Sequence, residues 1–138
     1  DGPHRQELEK IASESYPQTR FYGAVFGEAL DEIFDKADIF VLPGTGGLAV
    51  QQAMSHALPV IVAEADGTQA DLVRPDNGWV VPPGDEVDLR GILASALDEP
   101  ERLREMGLIS YQIVSEEINL ENMVNVFLQA IMNTKMKR

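Results

Sequence analysis

Two short apolar runs, separated by a helical pattern, constrain the fold of this chain more than any other feature. The runs are DIFVLP at 38–43 and PVIVA at 59–63, and residues 47–57 between them have helical spacing. A continuous apolar run bounded by turns is typical of a parallel strand that is covered on both faces. A strand, a helix and a second strand in this order predict a right-handed crossover within a parallel sheet.

The rest of the chain repeats this alternation. Helical periodicity occurs at 3–16 and 28–37, and a short helix is expected at 68–73. Two further segments, RFYGAV at 20–25 and GWVVPP at 78–83, are rich in strand-forming residues, so four strands are predicted. Three amphipathic helices finish the chain, with apolar faces formed by Leu89, Ile92, Leu93, Ala96 and Leu97, then Leu103, Met106 and Ile109, then Leu120, Met123, Val124, Phe127, Ala130 and Ile131. We predict an α/β domain of three layers, with a short parallel sheet flanked by helices.

Charge and cysteine content exclude several classes of function. The chain has 23 acidic and 11 basic residues among 138, a formal net charge of −12. Nucleic acid and anionic membranes would be repelled at long range, so neither is expected as a partner. There is no cysteine, which excludes disulfides and thiolate metal sites. With no apolar run of membrane-spanning length and no signal-peptide pattern, we expect a soluble, cytoplasmic protein.

The stretch VLPGTGGLAVQQAM at 41–54 places three glycines between a strand and a helix. Glycines allow a ligand to approach the backbone closely, and the N-terminus of a helix offers free N–H groups and positive potential to an anion. At this edge of an open α/β sheet, ligands commonly bind. A phosphate-binding turn is therefore one interpretation, formed by Gly44, Thr45, Gly46, Gly47 and Leu48. A tight turn without a ligand is the other, and the glycines alone do not separate them.

A dinucleotide site is a sharper alternative. Gly44, Gly46 and Ala49 match the spacing of the dinucleotide fingerprint, and Glu64 stands where a ribose-binding acid belongs. This pattern favours an NAD(P)-binding oxidoreductase domain. Pro43 argues against it, as does its position after earlier strand–helix elements, because the fingerprint normally opens its domain. A non-catalytic α/β scaffold domain is the third hypothesis.

The order of the segments resembles a known family. The sequence carries, in turn, FYGAV, ADIFVLP, AMSHALPVI, GTQADLV, NG and VPPGD, at 21–25, 37–43, 53–61, 67–73, 77–78 and 81–85. This series resembles the C-terminal, donor-binding domain of group 1 glycosyltransferases, which are retaining enzymes with two Rossmann-like domains (the GT-B architecture). The resemblance covers nearly the whole chain. Together with the opening DGP, which is typical of the exit from a strand, it implies that residues 1–138 are part of such a domain, trimmed at its N-terminal side.

The resemblance implies a substrate and a set of binding residues. A nucleotide-diphosphate sugar would place its phosphates at the glycine turn, with no metal or cofactor required. The glycan, lipid or polysaccharide acceptor would be bound through an N-terminal domain. The family marks its site with a pair of glutamates, and alignment puts Gly44 and Gln52 at those positions. Gln52 is the candidate for the ribose, because its amide can donate and accept hydrogen bonds. Gly23, Ala24 and Val25 are candidates for the nucleobase pocket.

The sequence departs from the family pattern at the residues that matter for catalysis. Neither Gly44 nor Gln52 is a carboxylate, and the arginine and lysine that the family uses for the diphosphate match a segment upstream of this one. We assign no catalytic residue, and expect a hexosyltransferase-type parent enzyme, able to act at the inner face of a membrane, of which this fragment alone is inactive. Asp71 aligns with a family glutamate and is interpreted either as a donor contact or as a helix cap. The apolar face of the last helix predicts self-association.

Overall fold

The structure is a computed structural model that describes residues 2–44, 46–65 and 67–135. The chain divides into two compact units, residues 1–33 and residues 34–138, and each is described by itself. The elements, in chain order, are α1 (Arg5–Ser15), α2 (Glu28–Phe34), β1 (Phe40–Leu42), α3 (Gly47–Ser55), β2 (Val60–Ala63), α4 (Thr68–Leu72), β3 (Gly78–Val81), α5 (Glu86–Leu97), α6 (Pro100–Gln112), a π-helical segment (Ile113–Glu117) and α7 (Leu120–Lys135).

The first unit contains α1 but not the strand expected at 20–25. That prediction is wrong, since residues 20–25 have no strand conformation. Gly23 has a φ of 73°, which breaks the extended backbone that a strand requires. The carbonyl of Phe21 accepts a hydrogen bond from Nη2 of Arg5 at 3.2 Å, a side-chain partner instead of a neighbouring strand.

The second unit is built on a parallel sheet. Its strand order is β1–β2–β3, with Phe40 opposite Val60 and Val60 opposite Gly78. All four residues of β2 are buried, as a central strand covered on both faces requires, whereas the edge strand β1 is only half-buried. The three apolar runs at 38–43, 59–63 and 78–83 therefore form strands as predicted, and the sheet has three described strands, not four.

Helices cover both faces of this sheet, which confirms the predicted α/β architecture. On one face, Ile61, Ala63 and Val81 pack with the α5 side chains Leu89, Ile92 and Leu93. Residues alternate between faces along a strand, so Val60 and Val62 point to the other face. There α3 contacts β1 and β2 and buries Val50, Ala53 and Met54.

The C-terminal helices differ in how much of their apolar faces they bury. Leu103 and Met106 of α6 are buried as predicted, but Leu97 of α5 is 62% exposed, contrary to expectation. Leu97 is the last residue of α5, beyond the part of the helix that lies on the sheet. The stripe of α7 is exposed along its length, so self-association through it stays a prediction. Among the described residues, no helix is long and apolar enough to cross a membrane.

Candidate functional site

The glycine turn connects β1 to α3. The N–H of Gly44 donates to the carbonyl of Leu42 at 2.8 Å, which tightens the chain as it leaves the strand. Gly46 precedes the first residue of α3 with a φ of 154° and, as a glycine, has no side chain to cap the helix. A Cβ at Gly46 would lie 3.0 Å from Cδ2 of Leu42. Both the backbone angle and the close side chain therefore require glycine here. Thr45 lies outside the described residues.

The N-terminus of α3 has the properties of an anion site. The first N–H groups of any helix have no acceptor within the helix, and its dipole makes that end positive. Because all three strands are parallel, the turn lies at the carboxyl edge of the sheet, where the strands end and helices begin. An anion placed against Gly47 would meet the first amide hydrogens of α3, and Gly47 itself adds no side chain there.

A pocket of about 570 Å³ opens against this turn. It has three walls, from the start of α3, from α4 and from the residue that follows the π-helical segment. The lining residues are Gly46, Gly47, Leu48, Gln51, Thr68, Asp71, Leu72 and Ile118. The walls approach closely, since a Cβ at Gly47 would lie 3.5 Å from Oγ1 of Thr68. The pocket is large enough for part of a small-molecule ligand.

The structure brings some of the predicted binding residues to this pocket. Gly46, Gly47 and Leu48 line it, and Gly44 is in the turn immediately before them. Gln52, the ribose candidate, is half-buried and is not among the lining residues, whereas Gln51 is. Helical periodicity alone does not choose between these two neighbours, because both lie off the buried face of α3. Their roles in binding stay predictions.

The nucleobase candidates lie in the first unit. Gly23 lines a hollow of about 500 Å³ together with Arg5, Arg20 and Tyr22. Ala24 and Val25 are not lining residues of that hollow. The assignment of these three residues to a nucleobase rests on the family resemblance and stays a prediction.

Among the described residues that line the pocket at the turn, one carries a charge, the carboxylate of Asp71. Asp71 is exposed, and no lysine or arginine belongs to the described lining. α4 begins at Thr68, and its N-cap residue Gly67 has a φ of 94° and no side chain to cap the helix. Asp71 lines the pocket. Nor do the described residues contain a group of three or more histidine, aspartate or glutamate side chains that could hold a metal ion. Within this unit, the donors that the described lining offers to an anion are neutral: backbone N–H groups, the hydroxyl of Thr68 and the amide of Gln51.

Ile118 is a pocket residue that the sequence pattern did not indicate. It follows the π-helical segment and lines a second groove of about 590 Å³, which also shares Leu48 and Gln51 with the pocket at the turn. The second groove runs along the start of α7, on Leu120, Met123 and other side chains. A π-helical turn interrupting an α-helix is often found at functional sites, and no residue spacing in the sequence marks this one.

An ion pair lies beside Ile118. Arg74, two residues beyond α4, donates from Nη1 and Nη2 to the two carboxylate oxygens of Glu117, at 2.9 and 2.6 Å. These hydrogen bonds lower the pKa of Glu117 below its ordinary value and raise the pKa of Arg74. The pair is therefore fully ionised at neutral pH.

Two residues near the site have structural roles. His56, at the C-terminal end of α3, stacks on Phe34 with ring centroids 5.2 Å apart, and its Nδ1 is 2.8 Å from Oδ1 of Asp35. Asn77 is fully buried, and its amide donates to the carbonyl of Leu72 and to Oγ of Ser110. Asn77 thereby joins the end of α4 to α6, which holds one wall of the pocket.

Gln69 on α4 is buried, with 3% of its surface exposed, and neither polar atom of its amide makes a hydrogen bond in the described structure. Burying an amide without partners costs about 1–3 kcal/mol. We expect Gln69→Met, which keeps the shape and removes the amide, to raise the free energy of unfolding by about 1–3 kcal/mol in urea denaturation. Gln112→Met, at an exposed position at the end of α6, is the control and should change stability by less than about 0.5 kcal/mol. A loss of stability in Gln69→Met would show that the amide is satisfied in solution.

Comparison with known proteins decides the family. The family model described as "Glycosyl transferases group 1" matches residues 1–99. The chain belongs to the group 1 glycosyltransferases. The matched region includes the glycine turn, the pocket walls on α3 and α4, and all three strands. The oxidoreductase and scaffold hypotheses are not favoured.

Two curated glycosyltransferases are similar in sequence. Sulfoquinovosyl transferase SQD2 of Arabidopsis thaliana is 34% identical over 114 residues, which is 78% of this chain and 22% of that protein. A GDP-mannose-dependent alpha-mannosyltransferase of Mycobacterium tuberculosis (strain CDC 1551 / Oshkosh) is 35% identical over 89 residues, 62% of this chain and 22% of that protein. This glycosyltransferase chain thus spans about a fifth of the length of these relatives.

A solved structure confirms the fold of the glycosyltransferase domain. Sucrose-phosphate synthase from Thermosynechococcus elongatus superposes with a TM-score of 0.78 at 22% identity, covering 99% of this chain and 36% of the synthase. At 22% identity this structural similarity supports the GT-B fold alone, and it does not indicate the substrate or the mechanism.

Proposed function

We propose that this chain is the donor-binding part of a glycosyltransferase that transfers a sugar from a nucleotide-diphosphate sugar to a glycan, lipid or polysaccharide acceptor, with retention. The observation that carries the proposal is the Gly46–Gly47 start of α3, at the carboxyl edge of the sheet and open to a pocket. Family membership supports it. So do the names of the relatives, one of which is GDP-mannose-dependent.

The proposed binding mode uses the backbone for the phosphates. The diphosphate lies against the first N–H groups of α3, at Gly46, Gly47 and Leu48, and Gly44 and Thr45 are further candidate contacts. Backbone amides and the helix dipole stabilise an anion without a metal ion or a cofactor. Gln52 holds the ribose hydroxyls, and Gly23, Ala24 and Val25 contribute to the nucleobase pocket.

The sugar has a different set of candidate contacts. Thr68 and Asp71 line the pocket opposite α3, and their hydroxyl and carboxylate can accept hydrogen bonds from sugar hydroxyls. We assign no residue of this chain to bond cleavage, since Gly44 offers no carboxylate at a position where the family has one. The fragment alone is therefore expected to bind weakly and to transfer no sugar. We place the reaction in the cytoplasm, with the acceptor bound outside residues 1–138.

The test measures the binding of five nucleotides to this chain by ligand-observed NMR: UDP, GDP, CMP, ADP and NADH. We expect one nucleoside diphosphate to bind in preference to the others, which would also identify the base. Preference for NADH would contradict the proposal and support an oxidoreductase. If none of the five nucleotides binds, nucleotide binding by this part of the enzyme is contradicted.

Two matched variants separate the neighbouring glutamines of α3. If Gln52 holds the ribose, Gln52→Ala should weaken ribonucleotide binding about 2- to 10-fold, the contribution of one hydrogen bond. The affinity for the 2′,3′-dideoxy analogue, which lacks the ribose hydroxyls, should not change. Gln51→Ala should weaken both nucleotides equally or neither. The reverse result would move the ribose contact to Gln51, the residue that lines the pocket.

A further inference from the structure

Two walls of the pocket at the turn come from distant parts of the chain. Thr68, Asp71 and Leu72 lie on α4, and Ile118 follows the π-helical segment. Nothing in the local sequence fixes the spacing between these walls, because α4 and the π-helical segment belong to separate stretches of chain. The width of the pocket therefore depends on contacts between these stretches.

The Arg74–Glu117 ion pair is such a contact. Arg74 follows the end of α4 by two residues, and Glu117 immediately precedes Ile118. The two residues are 43 positions apart in sequence and form two parallel hydrogen bonds, at 2.9 and 2.6 Å. This paired geometry of arginine and carboxylate restricts direction as well as distance.

Both ends of the pair are attached to ordered backbone. The N–H of Arg74 donates to Oδ1 of the buried Asn77 at 2.6 Å. At the other end, the amide of Asn122 donates to the carbonyls of Glu116 and Glu117, at 2.6 and 3.1 Å. The N–H of Ile118 donates to the carbonyl of Ile113 at 2.9 Å. A change at the pair is thus transmitted to α4 and to Ile118, not absorbed by loose chain.

We propose that Arg74 and Glu117 are positioning residues, which hold α4 and Ile118 at the separation that admits the diphosphate of the donor. This inference rests on the proposed function, because it assigns the pocket to the donor. The side chains of Arg74 and Glu117 are 38% and 53% exposed, and exposed ion pairs contribute little to stability. If the role of the pair is purely structural, removing it should therefore change stability little and ligand affinity not at all. If the pair positions the pocket walls, removing it should lower ligand affinity.

The experiment compares three variants with a matched control. Arg74→Gln and Glu117→Gln each remove the pair, and the double variant Arg74→Glu/Glu117→Arg restores it with the charges exchanged. Arg104→Gln removes another exposed pair, that of Arg104 with Glu101 on α6, whose residues line neither the pocket nor the groove. Dissociation constants are measured for UDP, GDP, CMP and ADP. Hydrogen exchange of the Ile118 amide and the unfolding midpoint are measured without nucleotide.

Each single variant at the pair should bind the preferred nucleotide about 2- to 30-fold more weakly, the usual range for residues that act through others. Exchange of the Ile118 amide should accelerate, since its hydrogen bond to Ile113 opens more often. The unfolding midpoint should match that of Arg104→Gln, and the charge-exchanged variant should recover both affinity and exchange protection. Unchanged Ile118 exchange in both single variants, or an affinity loss no larger than the control's, would overturn the proposal. If the wild-type chain binds no nucleotide, the proposed function fails, and the exchange rates alone still decide whether the pair positions Ile118.

Discussion

Gly107→Ala is expected to lower the free energy of unfolding by about 3 kcal/mol or more. Gly107 is buried in α6 where this helix crosses the loop between α3 and β2. A Cβ at Gly107 would lie 2.0 Å from the carbonyl oxygen of Ala57 and 3.4 Å from Cδ of Pro59. The obstacle is backbone, and Ala57 already has a positive φ of 55°, so the loop cannot yield easily. Urea denaturation followed by circular dichroism measures the loss.

Gly91→Ala is the matched control, with the opposite expected sign. Gly91 lies within α5, and a Cβ there would meet nothing within 4 Å. Alanine favours a helix over glycine by about 0.5–1 kcal/mol, so Gly91→Ala should stabilise the chain by that amount. If Gly107→Ala also stabilised the chain, propensity would outweigh packing there, and α6 could not lie against the loop as closely as described.

Gly107 illustrates which parts of the fold were predictable from sequence. The spacing of Leu103 and Met106 marks the buried face of α6, and both are buried. Spacing says nothing about which backbone a glycine on that face approaches, because this depends on a contact with residue 57. The strand predicted at 20–25 failed for a related reason. Its composition favours a strand, but strand formation needs a neighbouring strand and an extended Gly23, and neither is present in the described structure.

The candidate site divides in the same way. The glycines between an apolar run and a helical pattern predicted the turn, since the backbone conformations that they allow are local. The buried face of α3 is set by Val50, Ala53 and Met54. Gln51 and Gln52 both lie off this face, so both are available to a ligand. Ile118 closes the pocket from a position about 70 residues further along the chain, after a π-helical turn. Local periodicity carries no information about such a contact.

Gly46→Val is expected to weaken binding of the preferred nucleoside diphosphate at least tenfold, about 1.4 kcal/mol. At a φ of 154°, a β-branched residue is strained by about 1–3 kcal/mol, and its Cβ would lie 3.0 Å from Leu42. A shift of the Leu42 side chain can relieve the contact, but the strained backbone angle relaxes by moving the first N–H groups of α3, which are the proposed phosphate ligands. The same titration by NMR used for the nucleotide panel measures the effect.

The stability of Gly46→Val itself distinguishes loss of the site from loss of the fold, and Gly44→Ala is the companion variant in the same turn. A Cβ at Gly44 would meet nothing within 4 Å, so this variant should keep its stability. Gly46→Val should lose only part of the 5–15 kcal/mol that holds a typical domain together, and should remain folded by circular dichroism. A folded Gly46→Val chain that no longer binds would place the diphosphate at the start of α3. If Gly46→Val binds the nucleotide as tightly as the wild type, the phosphates must be held elsewhere. The proposed donor site would then have to be abandoned.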